Sequence, residues 1–197
     1  MESRIAEAIR LKIPPVALLW ADDKPDRAMS FQESKWGCVM WLVAAAAKGK
    51  AAACDVRTFG CFGGGVGLGF GNQYRSFPGG EEGFCHFLSI GNEGREGGKE
   101  LAEQVRPFLR DDAFDHFLHG ERYVRDPEGV RRFIASLPMR EIPARYVVFK
   151  PLADVDPERE NLRTVIFFAD PDRLSALVVL ANYGRGDNEN VFIPYAA

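Results

Sequence analysis

Four cysteines, Cys38, Cys54, Cys61 and Cys85, lie in the first half of a chain of 197 residues, and none follows Cys85. A thiol used only as a small core residue has no reason to gather in one stretch. Soft metal ions and iron–sulfur clusters, by contrast, require several thiolates brought together. Three of the four stand one or two residues after a glycine, as Gly37-Cys38, Gly60-Cys61 and Gly83-Phe84-Cys85. A neighbour without a side chain lets backbone amides point at a thiolate or an inorganic sulfide and steady its charge. No C-x-x-C occurs, so the compact spacings of zinc ribbons and bacterial ferredoxins are excluded, and the ligands must converge from separate elements. The pattern reads as a metal site for an iron–sulfur cluster or zinc, held by Cys38, Cys61 and Cys85, with Cys54 or an outside ligand completing it. Four buried, reduced thiols are the alternative.

The cysteines flank the densest glycine run in the chain, Gly63-Gly64-Gly65-Val66-Gly67-Leu68-Gly69-Phe70-Gly71. Glycine loses more backbone entropy on folding than any other residue, so such density predicts a folded loop of unusual geometry. Interleaved Phe62, Val66, Leu68 and Phe70 exclude a flexible linker. The run contains neither G-x-G-x-x-G nor G-x-x-x-x-G-K-[ST]. Amides of Gly63, Gly64, Gly65 and Gly67 could still cradle an anion or a cofactor phosphate, which makes a small-molecule or anion-binding module the second reading; a tight structural loop is its bland counterpart. A thiol enzyme with Cys61 or Cys85 as nucleophile is the third. It needs a base, and His86 is adjacent to Cys85 in sequence, where side chains do not ordinarily face each other. His116 and His119 share a helix face at i,i+3 and, with Asp112, Asp115 and Glu121, form a patch that reads as a metal-binding group or a solvated helix end.

The elements that must position these residues are mixed. Glu2 to Lys12 is helical in spacing and ends at Pro14-Pro15, and Pro15 to Ala21 reads as a buried strand. Ser30-Phe31-Gln32-Glu33 fits a capping box opening a helix through Trp36, Met40, Trp41 and Ala47. Lys99–Leu109, Asp112–Leu118 and Pro127–Leu137 read as helices, and Tyr146–Lys150 and Thr164–Ala169 as strands. Asp170-Pro171 predicts an N-cap and first turn, with Leu174, Leu177, Val178 and Ala181 as the buried face. A last strand at Val191–Ile193 leads to an apolar end, Val191 to Tyr195, suited to an oligomer contact. The fold class is therefore α+β, mixed α/β without strict alternation: one domain over 1–197, softly divided near 110–123, with a Cys/Gly-rich N-terminal half. Trp36, Phe62 and Phe70 are expected to keep the cysteine pocket dry.

Composition limits the partners. The chain is 46% hydrophobic and 27% charged with a net charge of −3, which gives no electrostatic reason to seek nucleic acid or an anionic membrane. Its longest apolar run, Val39 to Ala47, is too short to cross a bilayer, and the N-terminus lacks a signal-peptide layout. A cytoplasmic protein with reduced thiols, a small-molecule or redox partner and no membrane is the expectation.

Several segments together resemble the uncharacterised ArCR-type family, a domain of unknown function. They are Arg10-Leu11-Lys12-Ile13-Pro14-Pro15-Val16-Ala17, Gly37-Cys38, Phe59-Gly60-Cys61-Phe62-Gly63-Gly64-Gly65, Phe84-Cys85-His86-Phe87-Leu88, and Pro151-Leu152 before the strand at Val165–Phe168. The resemblance covers nearly the whole chain. It implies that Cys38 and Cys61 belong to a shared pattern, and that the family continues past Pro194-Tyr195 into a further Gly-Cys segment; a C-terminus truncated relative to the family is the expectation. It names no substrate.

Overall fold

The computed structural model describes residues 1–33, 35–187 and 189–192. In chain order its elements are α1 (Arg4–Ala8), β1 (Val16–Ala21), α2 (Met40–Ala47), β2 (Ala52–Cys54), α3 (Phe62–Gly67), α4 (Gly80–Leu88), α5 (Gly98–Val105), α6 (Asp111–His119), α7 (Pro127–Ser136), β3 (Tyr146–Pro151), β4 (Asn161–Ile166) and α8 (Pro171–Asn182). The class is α+β. The chain forms two compact units, Met1–Gly64 with the residues from Ile142 onward, and Gly65–Glu141. The 110–123 stretch lies inside the second unit and carries α6.

The first unit is built on an antiparallel sheet of order β2-β3-β1-β4. Strand alternation sorts its side chains. Ala17, Leu19, Ala53 and Val148 face one core, closed by Ala28, Leu152 and Val155. Val147, Phe149, Ala52 and Cys54, also fully buried, lie on the alternate positions. Helix α2 packs on β3, β2 and β1 and turns Leu42, Val43 and Ala46 inward. Each large apolar side chain so buried contributes about 1.5–3 kcal/mol.

A short backbone zip extends β2. The Met29 amide donates to the Ala51 carbonyl at 2.9 Å and the Ala53 amide to the Met29 carbonyl at 2.8 Å. Ser30 Oγ donates to the Ala53 carbonyl at 2.5 Å. This corrects the expected capping box: the Ser30 hydroxyl is spent on β2, and the helix opens only at Met40. Helix α1 is likewise shorter than its spacing suggested. Ser3 caps it by accepting from the Ala6 amide at 3.2 Å, and Arg10, at φ +51°, lies past its end in the left-handed region.

The second unit is helical. Helix α4 packs on α6 and α7, and α5 on α6. Its core is aromatic, with Tyr74 stacked on Phe84 at 4.3 Å between centroids and Phe77 edge-on to Phe84 at 5.3 Å. Asn92 is fully buried and ties the unit together: Nδ2 donates to the Gly83 and Phe117 carbonyls at 3.1 and 3.2 Å, and Oδ1 accepts from Arg95 Nε at 3.0 Å. Buried amides held this way fix one arrangement, because losing any partner leaves a desolvated polar atom.

Four further expectations change. The glycine run is not an irregular loop at its start, since Phe62–Gly67 is α-helical. Helix α8 has its predicted cap, Asp170 accepting from the Arg173 amide at 3.1 Å, but none of its residues is buried and Leu174 is 56% exposed. The strand expected at Thr164–Ala169 runs from Asn161 to Ile166, paired with β1 across a register shift at Leu18/Leu19. Val191 and Phe192 are not in a strand, and Ile193, Pro194 and Tyr195 lie outside the described residues.

Candidate functional site around Cys38 and Cys61

The turn after β2 begins the site. Asp55 Oδ1 accepts from the Thr58 hydroxyl at 2.7 Å and from the Arg57 amide at 3.0 Å, while the Asp55 amide donates to Thr58 Oγ1 at 2.9 Å. This Asp-x-x-Thr exchange reverses the chain locally, as short polar side chains do when they bond nearby backbone. Gly60 follows at φ +84°, a conformation glycine adopts freely, and Cys61 comes next, just before α3.

The Gly37-Cys38 pair meets this turn. A Cβ on Gly60 would run into the Gly37 carbonyl oxygen, and it would stand 2.7 Å from the Phe31 ring. The same ring blocks a Cβ on Gly37. Two glycines therefore let two backbone segments and one phenyl ring occupy a space that any side chain would fill. Beyond them, a Cβ on Gly64 would stand 2.9 Å from Cys61 Sγ and 2.9 Å from Val39 Cβ. Cys61 Sγ and Val39, the residue following Cys38, thus both press on Gly64. Gly64 is needed for that packing, which is why glycine is found inside a helix there despite its entropy cost.

Exposure separates the four thiols. Cys38 and Cys61 are partly exposed, whereas Cys54 and Cys85 are buried. Burial pushes the Cys54 thiol up to about 12, with the nearby Asp55 and Cys61 adding to the effect. Cys85 is pushed up to about 11, first by burial and then by Glu82. Both stay protonated at neutral pH, unreactive unless a cation displaces the proton.

Of the residues read from sequence as metal ligands, Cys38, Cys54 and Cys61 belong to the first unit and Cys85 to the second. Among the described residues, no three or more His, Cys, Asp or Glu side chains are grouped so as to hold a metal ion. Gly63, Gly64, Gly65 and Gly67 lie in α3, and the chain just beyond folds back on the same helix, with the Phe70 amide donating to the Gly65 carbonyl at 3.0 Å. Trp36 does not cover the cysteines, being 64% exposed; it lies edge-on to Trp41 at 6.4 Å. Phe70 belongs to the second unit, where it bridges to Glu141.

His86 has both ring nitrogens engaged. Nδ1 lies 3.2 Å from the Gly91 carbonyl and Nε2 3.2 Å from Glu82 Oε1. Glu82 also accepts from Arg131 at 3.0 and 3.1 Å, which holds its carboxyl below the usual range. His86 is thus a strut between α4 and the following turn. His119 lies 3.5 Å from Glu93 and 3.7 Å from Asp115, and His116 lies 3.9 Å from Glu121, whose carboxyl is raised by burial. Asp112 is paired with Arg110 at 2.5 Å. These are separate polar contacts spread along the α6 end.

A separate cleft of about 320 Å³ is lined by Lys12, Ile13, Phe168, Ala169, Asp170 and Arg173. Its cations are already engaged. Lys12 lies 3.7 Å from Asp170, and Arg173 pairs with Asp170 and donates to the Arg10 carbonyl at 2.9 Å.

Sequence reading missed Phe31, Asp55 and Thr58. Only the Asp-x-x-Thr spacing before Gly60 carried a signal, as a turn; nothing local marks Phe31 as the ring behind both glycines. No curated protein matches the chain, and no solved structure does. The uncharacterised ArCR family, DUF169, matches residues 4–197. With the match extending over nearly its whole length, the chain belongs to that family of unknown function.

Proposed function

We propose that this protein binds a soft metal ion or an iron–sulfur cluster through the thiolates of Cys38 and Cys61, with Cys54, whose thiol feels the charge of Cys61, drawn in as a third sulfur on binding. One observation carries the reading: Gly37 and Gly60, each preceding a cysteine, are in direct backbone contact. Two partly exposed sulfurs delivered by such a contact suit a soft, thiophilic ion. Cys54 would join only by giving up its proton to the incoming cation, so metal uptake would release acid and strengthen as pH rises. Cys85 is left out, as it is buried in the helical unit among its own partners. The remaining ligands come from outside the chain: inorganic sulfide, a small thiol, or a redox partner protein. A reducing cytoplasm would keep the thiols available.

The test is anaerobic purification with measurement of the visible spectrum, iron, zinc and acid-labile sulfide. Stoichiometric metal, lost in Cys61→Ala and kept in Cys85→Ala, is the expected result. A colourless protein free of iron, zinc and sulfide, unable to take up either metal, overturns the reading.

A further inference from the structure

Two thiols that can hold a metal between them can also react with each other. We propose that Cys38 and Cys61 form a reversible dithiol–disulfide pair, a modification site for low-molecular-weight disulfides. No room for a Cβ remains between Gly60 and the Gly37 carbonyl, the Phe31 ring closes the space behind both, and Cys61 Sγ and Val39 both press on Gly64. The residues carrying the sulfurs are therefore held next to this contact, and each sulfur has partial access to solvent. The segments bearing them are the irregular stretch before α2 and the turn before α3, outside the ladder and helix bonds that fix Cys54 and Cys85. Cys54 and Cys85 are fully buried, which leaves them out of the exchange.

The chemistry balances with a small disulfide as oxidant. The thiolate of one cysteine attacks a sulfur of the disulfide, the S–S bond breaks, and one small thiol leaves after taking up a proton. The second cysteine, as thiolate, attacks the mixed disulfide and expels the other small thiol. The protein is oxidised by two electrons, and the disulfide is reduced to two thiols. A bound metal ion would compete, because its ligand thiolates cannot also attack.

The experiment treats the full-length, metal-stripped, reduced protein with oxidised glutathione at neutral pH, followed by peptide mass mapping without reduction. The expected product is a Cys38–Cys61 cross-linked peptide with two of the four thiols lost, reversed by dithiothreitol. In Cys38→Ser or Cys61→Ser the reaction stops at one glutathione adduct on the remaining partner. Stable single adducts in the unmodified sequence, a bridge through Cys54, or no reaction overturns the proposal. The inference rests on the same convergence as the metal reading, but the two fail separately. A metal-free protein that forms this bridge sinks only the metal reading; a metal-loaded one whose stripped form does not form it sinks only the switch.

Discussion

Cys54 and Cys85 sit in regular structure, one ending a strand inside the sheet unit and the other in the middle of a helix in the aromatic unit. Cys38 and Cys61 sit in irregular chain held in place by glycines and one phenyl ring. The first pair is fixed by packing that would be much the same if the sulfurs were methyl groups. The second pair is fixed by packing that exists only because side chains are missing around it. Burial thus makes two thiols inert, and removal of bulk brings together the backbone segments that carry the other two. Chemistry is expected where the fold has given up side-chain volume, not where it has invested it.

Alkylation at pH 7 should separate the pairs most sharply. Thiols pushed to about 11 and 12 carry so little thiolate that Cys85 should react on the order of a few hundredfold, and Cys54 a few thousandfold, more slowly than an ordinary accessible thiol. Cys38 and Cys61 should label first in a time course read by mass spectrometry, and uniform labelling would dissolve the comparison. The labelling of Cys85 should rise as pH approaches 11, provided the fold persists there.

The Gly60→Val variant should lose about 3 kcal/mol or more in urea denaturation, since it adds both a positive-φ penalty and a collision with backbone. It should also abolish the Cys38–Cys61 bridge. A stable variant that still bridges would show that the glycine contact does not hold the pair together. Asn92→Ala should cost about 1–3 kcal/mol by removing the buried side-chain hydrogen bonds to the Gly83 and Phe117 carbonyls, yet leave the reactivity of Cys38 and Cys61 unchanged. A change in that reactivity would show that the loop thiols depend on the helical core.

Glu82→Gln should have the smallest effect. The Glu82 carboxyl is held below its ordinary 4.5 chiefly by Arg131, so its contribution is present above that value and fades as pH falls through the lowered one. The variant should show a slightly lower urea midpoint at pH 7, with the difference shrinking in acid. A difference that grows in acid would reverse the sign.

Much of the scaffold was legible in the sequence. Val16–Ala21 and Tyr146–Lys150 read as strands because β-branched and aromatic residues crowd together there, and Asp170-Pro171 announced its helix through cap chemistry alone. Where the reading failed, the deciding partner was distant in sequence. Ser30 was drawn to the Ala53 carbonyl rather than to a helix start. The apolar spacing of α8 says which residues could share a face, but spacing supplies no surface to cover them, and Leu174 and Val179 are exposed. The glycine run looked like a loop because helix entropy argues against it; the countervailing fact, Cys61 Sγ and Val39 pressing on Gly64, exists only in three dimensions. For the candidate site, the gathering of cysteines in sequence drew attention to the stretch that carries Cys38 and Cys61. It could not tell that Cys85 falls in the other unit, since sequence proximity carries no information on how the chain partitions.

The three tight glycines around Cys38 and Cys61 also bear on how this chain can vary. Every amino-acid replacement of a glycine adds at least one carbon, so no missense change at Gly37, Gly60 or Gly64 is conservative, alanine included. An ordinary core position tolerates a spectrum of similar residues. These three offer none, and a saturation library of the gene should show them as blank columns, bracketing Cys38 and Cys61 with positions that permit a single letter.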